Sequence, residues 1–320
     1  MQPIILLSLP RSGSTLLQRC LAAHPEICST SESWLLLPGA YALRPRGVVS
    51  EYGHSILQMG VSDFCNGLPE KQNDFYREYG DMVARLYDKR FGGEGHRYFL
   101  EKTPRNYLIV DEILAMFPSA KIILLWRDPV RLYASIVRSL LSNRWKPGAY
   151  NVDITDGLNN LCRAAAKHPD RIRTVRYEEL VSNPQDVLRE LTDFLELQYH
   201  EHMTVLDDSE VLQGSLGDKT GIHQYGSISA GGLQSGLEEV FHNRYRVRFM
   251  RKLLREWESE GYLAAMGYSH ETLQSELPSR RGAYRGVITD VFSEYRERVR
   301  MLFQSVGLWH APAARQKLFH

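Results

Sequence analysis

The chain has 320 residues, 43% of them hydrophobic and 24% charged, and its formal net charge is +1. This composition is typical of a soluble globular protein and excludes a disordered chain, and the balanced charge argues against a broad nucleic-acid-binding protein. All apolar runs are shorter than the roughly 18 residues that a membrane-spanning helix needs, so we predict no transmembrane segment.

The apolar pattern alternates between strand-like and helix-like segments along the chain. The predicted strands cover about 3–9, 97–101, 120–126 and 172–176. The predicted helices cover about 14–24, 73–91, 105–116, 130–143, 155–167 and 184–197. This alternation predicts an α/β fold with a parallel sheet and right-handed crossovers. Residues 25–71 lack such a pattern, and we predict them to be mostly irregular.

The last third of the chain departs from this alternation. Residues 207–236 are rich in Gly and Ser and are interpreted as a loop. Beyond Pro278, apolar residues recur at helical spacing as far as Val306, and residues 278–320 contain eight Lys/Arg against three Asp/Glu. We therefore predict one domain over 1–277 and a C-terminal helical extension over 278–320. That helix packs on the domain, forms a homodimer contact or lies on anionic lipid.

Residues 10–16, Pro-Arg-Ser-Gly-Ser-Thr-Leu, join the first strand to the first helix. A helix N-terminus offers unpaired N–H groups and about half a positive charge, and Gly13 lets the backbone approach an anion closely. Further donors are one guanidinium and three hydroxyls, those of Arg11, Ser12, Ser14 and Thr15. The loop predicts a site for a phosphate-like group.

A second strong segment is Ala-Lys-Ile-Ile-Leu-Leu-Trp-Arg-Asp-Pro at residues 120–129. Its continuous apolar run indicates a buried parallel strand, and Pro129 suits the first turn of the next helix. Arg127 and Ser135 are then expected near the carboxyl edge of the sheet, where open α/β sheets bind ligands.

Together these segments resemble the sulfotransferases that use 3′-phosphoadenosine 5′-phosphosulfate (PAPS). Residues 10–16 resemble the family's 5′-phosphosulfate loop, and residues 127–135 resemble its 3′-phosphate element. Three further segments resemble the tyrosylprotein and carbohydrate branch; they are His24-Pro25 followed by Glu32, Glu-Lys-Thr-Pro at 101–104, and Arg-Tyr-Glu-Glu-Leu at 176–180. The resemblance runs from about residue 3 to 197, with a weaker similarity to about 240. It implies a P-loop-like three-layer sandwich with helices flanking the sheet.

The resemblance also implies a reaction. A sulfuryl group moves from PAPS to a hydroxyl or amine, adenosine 3′,5′-bisphosphate is released, and no metal is required. Glu32 is the implied base, and Lys102 with Arg11 stabilises the leaving group. The implied donor-binding residues are Arg11, Ser12, Gly13, Ser14, Thr15, Leu16, Arg127, Ser135 and Tyr177, with Lys219 and Tyr225 in a loop that covers the nucleotide.

Several alternatives stay open at this point. If Glu32 is instead a surface residue at a turn, His54 or His96 is the alternative base. Lys102 alternatively forms an ion pair with Glu101. The acceptor is expected to be a glycan or lipid-linked saccharide, or else a peptide tyrosine or small metabolite, bound partly by an insertion at about 35–72. A kinase or nucleotide hydrolase is disfavoured because residues 10–16 lack the Gly-Lys-Ser/Thr of the triphosphate loop. A non-catalytic PAPS-binding protein is disfavoured because Glu32 and Lys102 are both present.

The four cysteines have neither a paired nor a metal-binding spacing; they are Cys20, Cys28, Cys65 and Cys162. We interpret them as thiols in a reducing compartment. The apolar start of the sequence is short and lacks a basic leader. We therefore expect a cytoplasmic protein of bacterial type.

Overall fold

A computed structural model describes residues 1–93, 95–206, 212, 216, 236–279 and 283–305, with side chains as far as 296 and at 299. Internal packing divides the chain into two units. Unit 1 comprises Met1–Trp126 and Asn160–Ser229, and unit 2 comprises Arg127–Asn159 and Ala230–His320.

Unit 1 is built on a sheet of five parallel strands. They are β1 (Gln2–Ser8), β2 (Ile27–Ser29), β3 (Tyr98–Glu101), β4 (Lys121–Trp126) and β5 (Ile172–Arg176). Their order across the sheet is β2-β3-β1-β4-β5. β1 lies in the centre and is buried from Pro3 to Ser8, because its unbroken apolar run suits a strand covered on both faces.

Helices of unit 1 flank this sheet, so the predicted α/β sandwich is confirmed. In chain order the α-helices are α1 (Ser14–Ala22), α2 (Leu36–Tyr41), α3 (His54–Asn66), α4 (Gln72–Phe91), α5 (Val110–Met116), α6 (Pro129–Ser135), α7 (Leu158–Lys167), α8 (Tyr177–Ser182), α9 (Pro184–Phe194), α10 (Leu237–Val240), α11 (Arg244–Ser259), α12 (Tyr262–Met266), α13 (His270–Glu276) and α14 (Val287–Ser305). Short 3₁₀ turns cover Asn106–Ile109, Pro147–Tyr150 and Glu201–Thr204, and π turns cover Ile136–Leu140 and Asp153–Gly157.

All four predicted strands are present, and the prediction of a mostly irregular segment at 25–71 is incomplete because regular elements interrupt it. This segment contains β2, α2 and α3. β2 has three residues, too few for an alternating pattern to stand out. α3 exposes Ile56, Met59 and Phe64, so its apolar residues do not form the core-facing stripe that sequence periodicity detects.

Unit 2 contains a buried ion pair between α11 and α14. Arg246 donates to Asp290 through Nε and Nη2, with both distances 2.8 Å. Asn243 caps α11 by accepting from the backbone N–H of Arg246 at 3.0 Å and donates to the same Asp290 at 2.7 Å. Because both charges are paired and hydrogen-bonded, the pair holds the first half of α14 against α11 despite the cost of burying ions.

Two further expectations concern the cysteines and membrane-spanning helices. All four cysteines are buried thiols. In the part of the chain that the structure describes, no helix has the length and apolar character needed to cross a bilayer.

Candidate active site

The loop at residues 10–16 connects β1 to α1 and has an unusual backbone. Arg11 and Gly13 both have positive φ, 68° and 93°, a conformation that favours glycine. Gly13 directly precedes α1, and its carbonyl accepts from the N–H groups of Leu16 and Leu17 at 3.0 and 3.2 Å. The loop therefore presents the start of a nine-residue helix at the carboxyl end of the central strand, a place suited to an anion.

Tyr177 packs directly on this loop. It is the first residue of α8 and follows β5, and its side chain is buried. A Cβ built on Gly13 would lie 2.3 Å from Cδ2 of Tyr177. Position 13 therefore needs glycine for two reasons, its φ and the ring against it, and the structure brings together two residues that the resemblance assigned to donor binding.

Glu32 and Lys102 form an ion pair. Nζ of Lys102 lies 3.1 Å from Oε1 of Glu32, and the side chains are only 3% and 13% exposed, respectively. Lys102 follows β3, and Glu32 lies in the segment after β2. The pair brings together the two groups that the resemblance assigned to catalysis, and the side chain of Glu32 is largely but not fully buried. The alternative partner of Lys102, Glu101, points to other groups.

Glu101 is a buried carboxylate that sequence reasoning did not single out for the site. It accepts from the hydroxyls of Ser33 and Tyr87 at 2.6 Å each and from that of Thr103 at 2.7 Å. Burial, followed by the Glu101 carboxylate, raises the pKa of Tyr87. Ser33 follows Glu32 in the chain, and Thr103 follows Lys102. Because Glu101 accepts hydrogen bonds from both Ser33 and Thr103, it connects the two segments that carry the ion pair. A charged residue at the end of a buried strand is the sequence signal that indicates such a cluster.

The loop after β1 and Lys102 after β3 lie at one edge of the sheet. β1 and β3 are parallel neighbours, with Ile5 paired to Glu101, and parallel strands end at the same edge. Gln18 of α1 connects this loop region to the Glu32 segment by donating to Oγ of Ser29 and to the carbonyl of Thr30, at 2.9 and 2.8 Å. Unit 1 therefore gathers a candidate anion loop, a lysine and a carboxylate.

Arg127 and Ser135 belong to unit 2. Arg127 follows β4 in the chain, and Ser135 ends α6. Between them, Asp128 caps α6 by accepting from the N–H groups of Val130 and Arg131 at 2.8 and 3.0 Å. Burial raises the pKa of Asp128 to about 6, although these two donors oppose the shift.

The remaining predicted residues fall into two groups. Nε2 of His54 lies 2.8 Å from the carbonyl of Arg44, and Nδ1 of His96 lies 3.5 Å from that of Phe91; these backbone contacts suit structural roles. Lys219 and Tyr225 lie outside the described residues. Among the described residues no cluster of three or more His, Cys, Asp and Glu is arranged to hold a metal ion.

Comparison with known proteins gives one family. Residues 3–201, more than half of the chain, match the sulfotransferase family. Among curated proteins, the chain is 28% identical over 209 residues to nodulation protein NoeE of Sinorhizobium fredii, covering 58% of this chain and 47% of that one. It is 24% identical over 218 residues to a protein-tyrosine sulfotransferase of Drosophila melanogaster, covering 62% and 39%. The chain thus spans about half or less of the length of these relatives.

Solved structures agree with this fold. The sulfotransferase domain from the curacin biosynthetic pathway aligns with a TM-score of 0.54 and 21% identity, over 87% of this chain and 99% of that one. The sulfotransferase domain of the Synechococcus PCC 7002 olefin synthase aligns with a TM-score of 0.50 and 26% identity, over 73% and 86%.

Proposed function

Because the chain belongs to the sulfotransferase family, we propose that it transfers a sulfuryl group from PAPS to a hydroxyl or amine of an acceptor. The observation that carries this proposal is the pairing of Glu32 with Lys102, 3.1 Å apart, at the sheet edge where the loop of residues 10–16 begins α1. A base, a movable cation and an anion loop are the three groups that in-line transfer of a sulfuryl group needs.

We propose that the 5′-phosphosulfate binds to the loop. The backbone N–H groups and side chains of residues 11–16, with the positive end of α1, would hold it, and Tyr177 would contact the nucleotide beside Gly13. The resemblance assigns the 3′-phosphate to Arg127 and Ser135 and places Lys219 and Tyr225 in a covering loop. These assignments stay predictions.

The chemistry follows from the charges of the pair. The sulfur–oxygen bond to the bridging oxygen of PAPS breaks while a bond from sulfur to the acceptor atom forms, and the acceptor proton goes to Glu32. Negative charge develops on the bridging oxygen, and the ammonium of Lys102, with Arg11, would neutralise it. Before the substrates bind, each charge of the pair satisfies the other, so neither is left buried alone.

The acceptor is proposed from the surroundings of Glu32. Nε1 of Trp34 lies 3.4 Å from Oε2 of Glu32, and the indole is 39% exposed. An exposed indole beside a base can stack on a sugar or on a phenol ring. We propose a glycan or lipid-linked saccharide as the acceptor, with a peptide tyrosine, the acceptor named for the Drosophila relative, or a small metabolite as alternatives.

The first experiment is calorimetric titration with adenosine 3′,5′-bisphosphate beside ADP and ATP with Mg²⁺. Tight, metal-independent binding that requires the 3′-phosphate supports the proposal, and a preference for ATP with Mg²⁺ would favour the kinase alternative. Labelled PAPS with panels of saccharides, tyrosine peptides and small phenols then identifies the acceptor. Donor binding without transfer to any panel would favour a non-catalytic binding protein.

A further inference from the structure

The C-terminal helix α14 is held against α11, also of unit 2, by its acidic residues. Asp290 is buried in the ion pair with Arg246, and Glu294, also buried, accepts from the hydroxyl of Tyr245. Both acids lie four residues apart on one face of the helix. In most surface helices the apolar face packs on the protein and the charged face meets water, so the orientation of α14 is inverted.

The apolar face of α14 points to solvent. Ile288 is 86% exposed and Phe292 is 65% exposed, and Val291 and Tyr295 are also exposed. These positions follow the i, i+3, i+4, i+7 spacing of a single helix face. In the sequence the same spacing continues with Val299, Leu302 and Phe303. A contiguous exposed apolar stripe of this kind marks an interaction surface.

Charge identifies the kind of partner. Between residues 283 and 296 the exposed charged side chains are Arg285 and Arg296, because the two acids in this range are buried. Over residues 283–296 the outward surface therefore combines apolar and aromatic side chains with exposed charges that are positive. A second copy of this face would bring arginines against arginines, which disfavours self-association.

We propose that α14 is a membrane-surface helix that lies on anionic lipid through Ile288, Val291, Phe292 and Tyr295. An amphipathic helix with arginines beside its apolar face binds in the plane of the bilayer interface, with the apolar side chains in the acyl boundary. The buried pair of Asp290 with Arg246 then fixes the helix so that its apolar face points away from α11. This inference is independent of the proposed transfer reaction.

The test is co-sedimentation of the full chain with vesicles of phosphatidylcholine alone and of phosphatidylcholine mixed equally with phosphatidylglycerol. We expect binding to the anionic vesicles, roughly fivefold weaker for each of Arg285→Gln and Arg296→Gln. Phe292→Glu should weaken binding by about tenfold or more. The matched control is Phe64→Glu, because Phe64 is similarly exposed, 72%, on α3, and it should bind as the unchanged chain does.

Other results would overturn the proposal. Absence of vesicle binding, equal binding to both vesicle types, or an equal loss in Phe64→Glu would each do so. The competing possibility is that a second copy of the chain covers this face, and light scattering of the lipid-free chain tests it. A dimer that Phe292→Glu converts to monomers would show that a second copy covers the face. An unchanged midpoint of urea denaturation in Phe292→Glu would show that the variant is folded.

Discussion

Nζ of Lys102 and Oε1 of Glu32 are 3.1 Å apart and nearly enclosed, so the two groups that the proposed reaction needs neutralise each other. Such a pair is sensitive to loss of one member, because the remaining charge is then buried without a partner. Substitutions that keep the size of each side chain are therefore the informative ones.

Glu32→Gln tests the role of the base. The glutamine oxygen still accepts from Lys102, so the local packing is kept while the proton acceptor is lost. We expect kcat to fall by about 10²–10⁴-fold, measured with labelled PAPS, while calorimetric affinity for adenosine 3′,5′-bisphosphate stays nearly unchanged. Glu51→Gln, at an exposed glutamate, is the control. A loss of donor affinity in Glu32→Gln would instead make Glu32 a structural residue.

Glu101→Gln tests whether the buried carboxylate positions the ion pair. One oxygen accepting two hydroxyls becomes an amide N–H₂, so we expect a loss of about 1–3 kcal/mol in the free energy of unfolding, measured by urea denaturation, and a lower kcat.

Two single-partner variants separate positioning from stability. Ser33→Ala removes the bond beside Glu32, whereas Tyr87→Phe removes a bond from α4, and both bonds are 2.6 Å long. We expect Ser33→Ala to lower kcat more than Tyr87→Phe does at a similar loss of stability. Equal effects on kcat would show that Glu101 stabilises the fold without positioning the ion pair.

Gly13→Ala tests the close approach of Tyr177 to the loop. The new methyl group would need a φ of 93° and would meet the ring at 2.3 Å, so we expect at least a tenfold loss of affinity for adenosine 3′,5′-bisphosphate by calorimetry. Gly60→Ala is the control, because a Cβ there has open space within α3 and should stabilise the fold by about 0.5–1 kcal/mol. Full donor affinity in Gly13→Ala would argue against binding at this loop.

The parts of the fold with long apolar runs could be predicted from sequence. β1 and β4 are such runs, and the loop between β1 and α1 follows from its glycine and hydroxyls. β2 could not be predicted, since a three-residue strand has no period of its own and depends on pairing with β3. The candidate site residues could be proposed from local motifs, whereas the pairing of Glu32 with Lys102 bridges 70 positions of sequence and needed the structure.

Two features depend on contacts that no local pattern encodes. Glu101 is held by Ser33 and Tyr87, each on a different segment. The helical spacing of α14 was visible in the sequence. The sequence alone does not decide whether the apolar face or the face with Asp290 and Glu294 packs on the protein. The partners on α11, above all Arg246, decide that the acidic face packs inward.

Arg127→Ala tests the assignment of the 3′-phosphate. If Arg127 binds this group, its loss should weaken the binding of adenosine 3′,5′-bisphosphate by about 1.5–3 kcal/mol, since a hydrogen bond to a charged group is lost. Affinity for adenosine 5′-monophosphate, which lacks the 3′-phosphate, should change little. Arg163→Ala, at an exposed arginine paired with Asp111, controls for the change in net charge. Equal losses for both nucleotides would remove Arg127 from this role.

Asp128→Asn tests the consequence of the raised pKa at the start of α6. Because burial raises the pKa of Asp128 to about 6, above its unfolded value near 3.9, the folded state favours the protonated carboxyl. Its contribution to stability is complete below pH 4 and is lost as pH rises through 6. Asparagine also caps helices and does not ionise. We expect the variant to match the unchanged chain at pH 4 and to exceed it by about 1–3 kcal/mol at pH 8, measured by urea denaturation across that range. Asp193→Asn, at an exposed position in α9, should show no such difference, and a variant that is less stable at pH 8 would mean that the ionised carboxylate stabilises this cap.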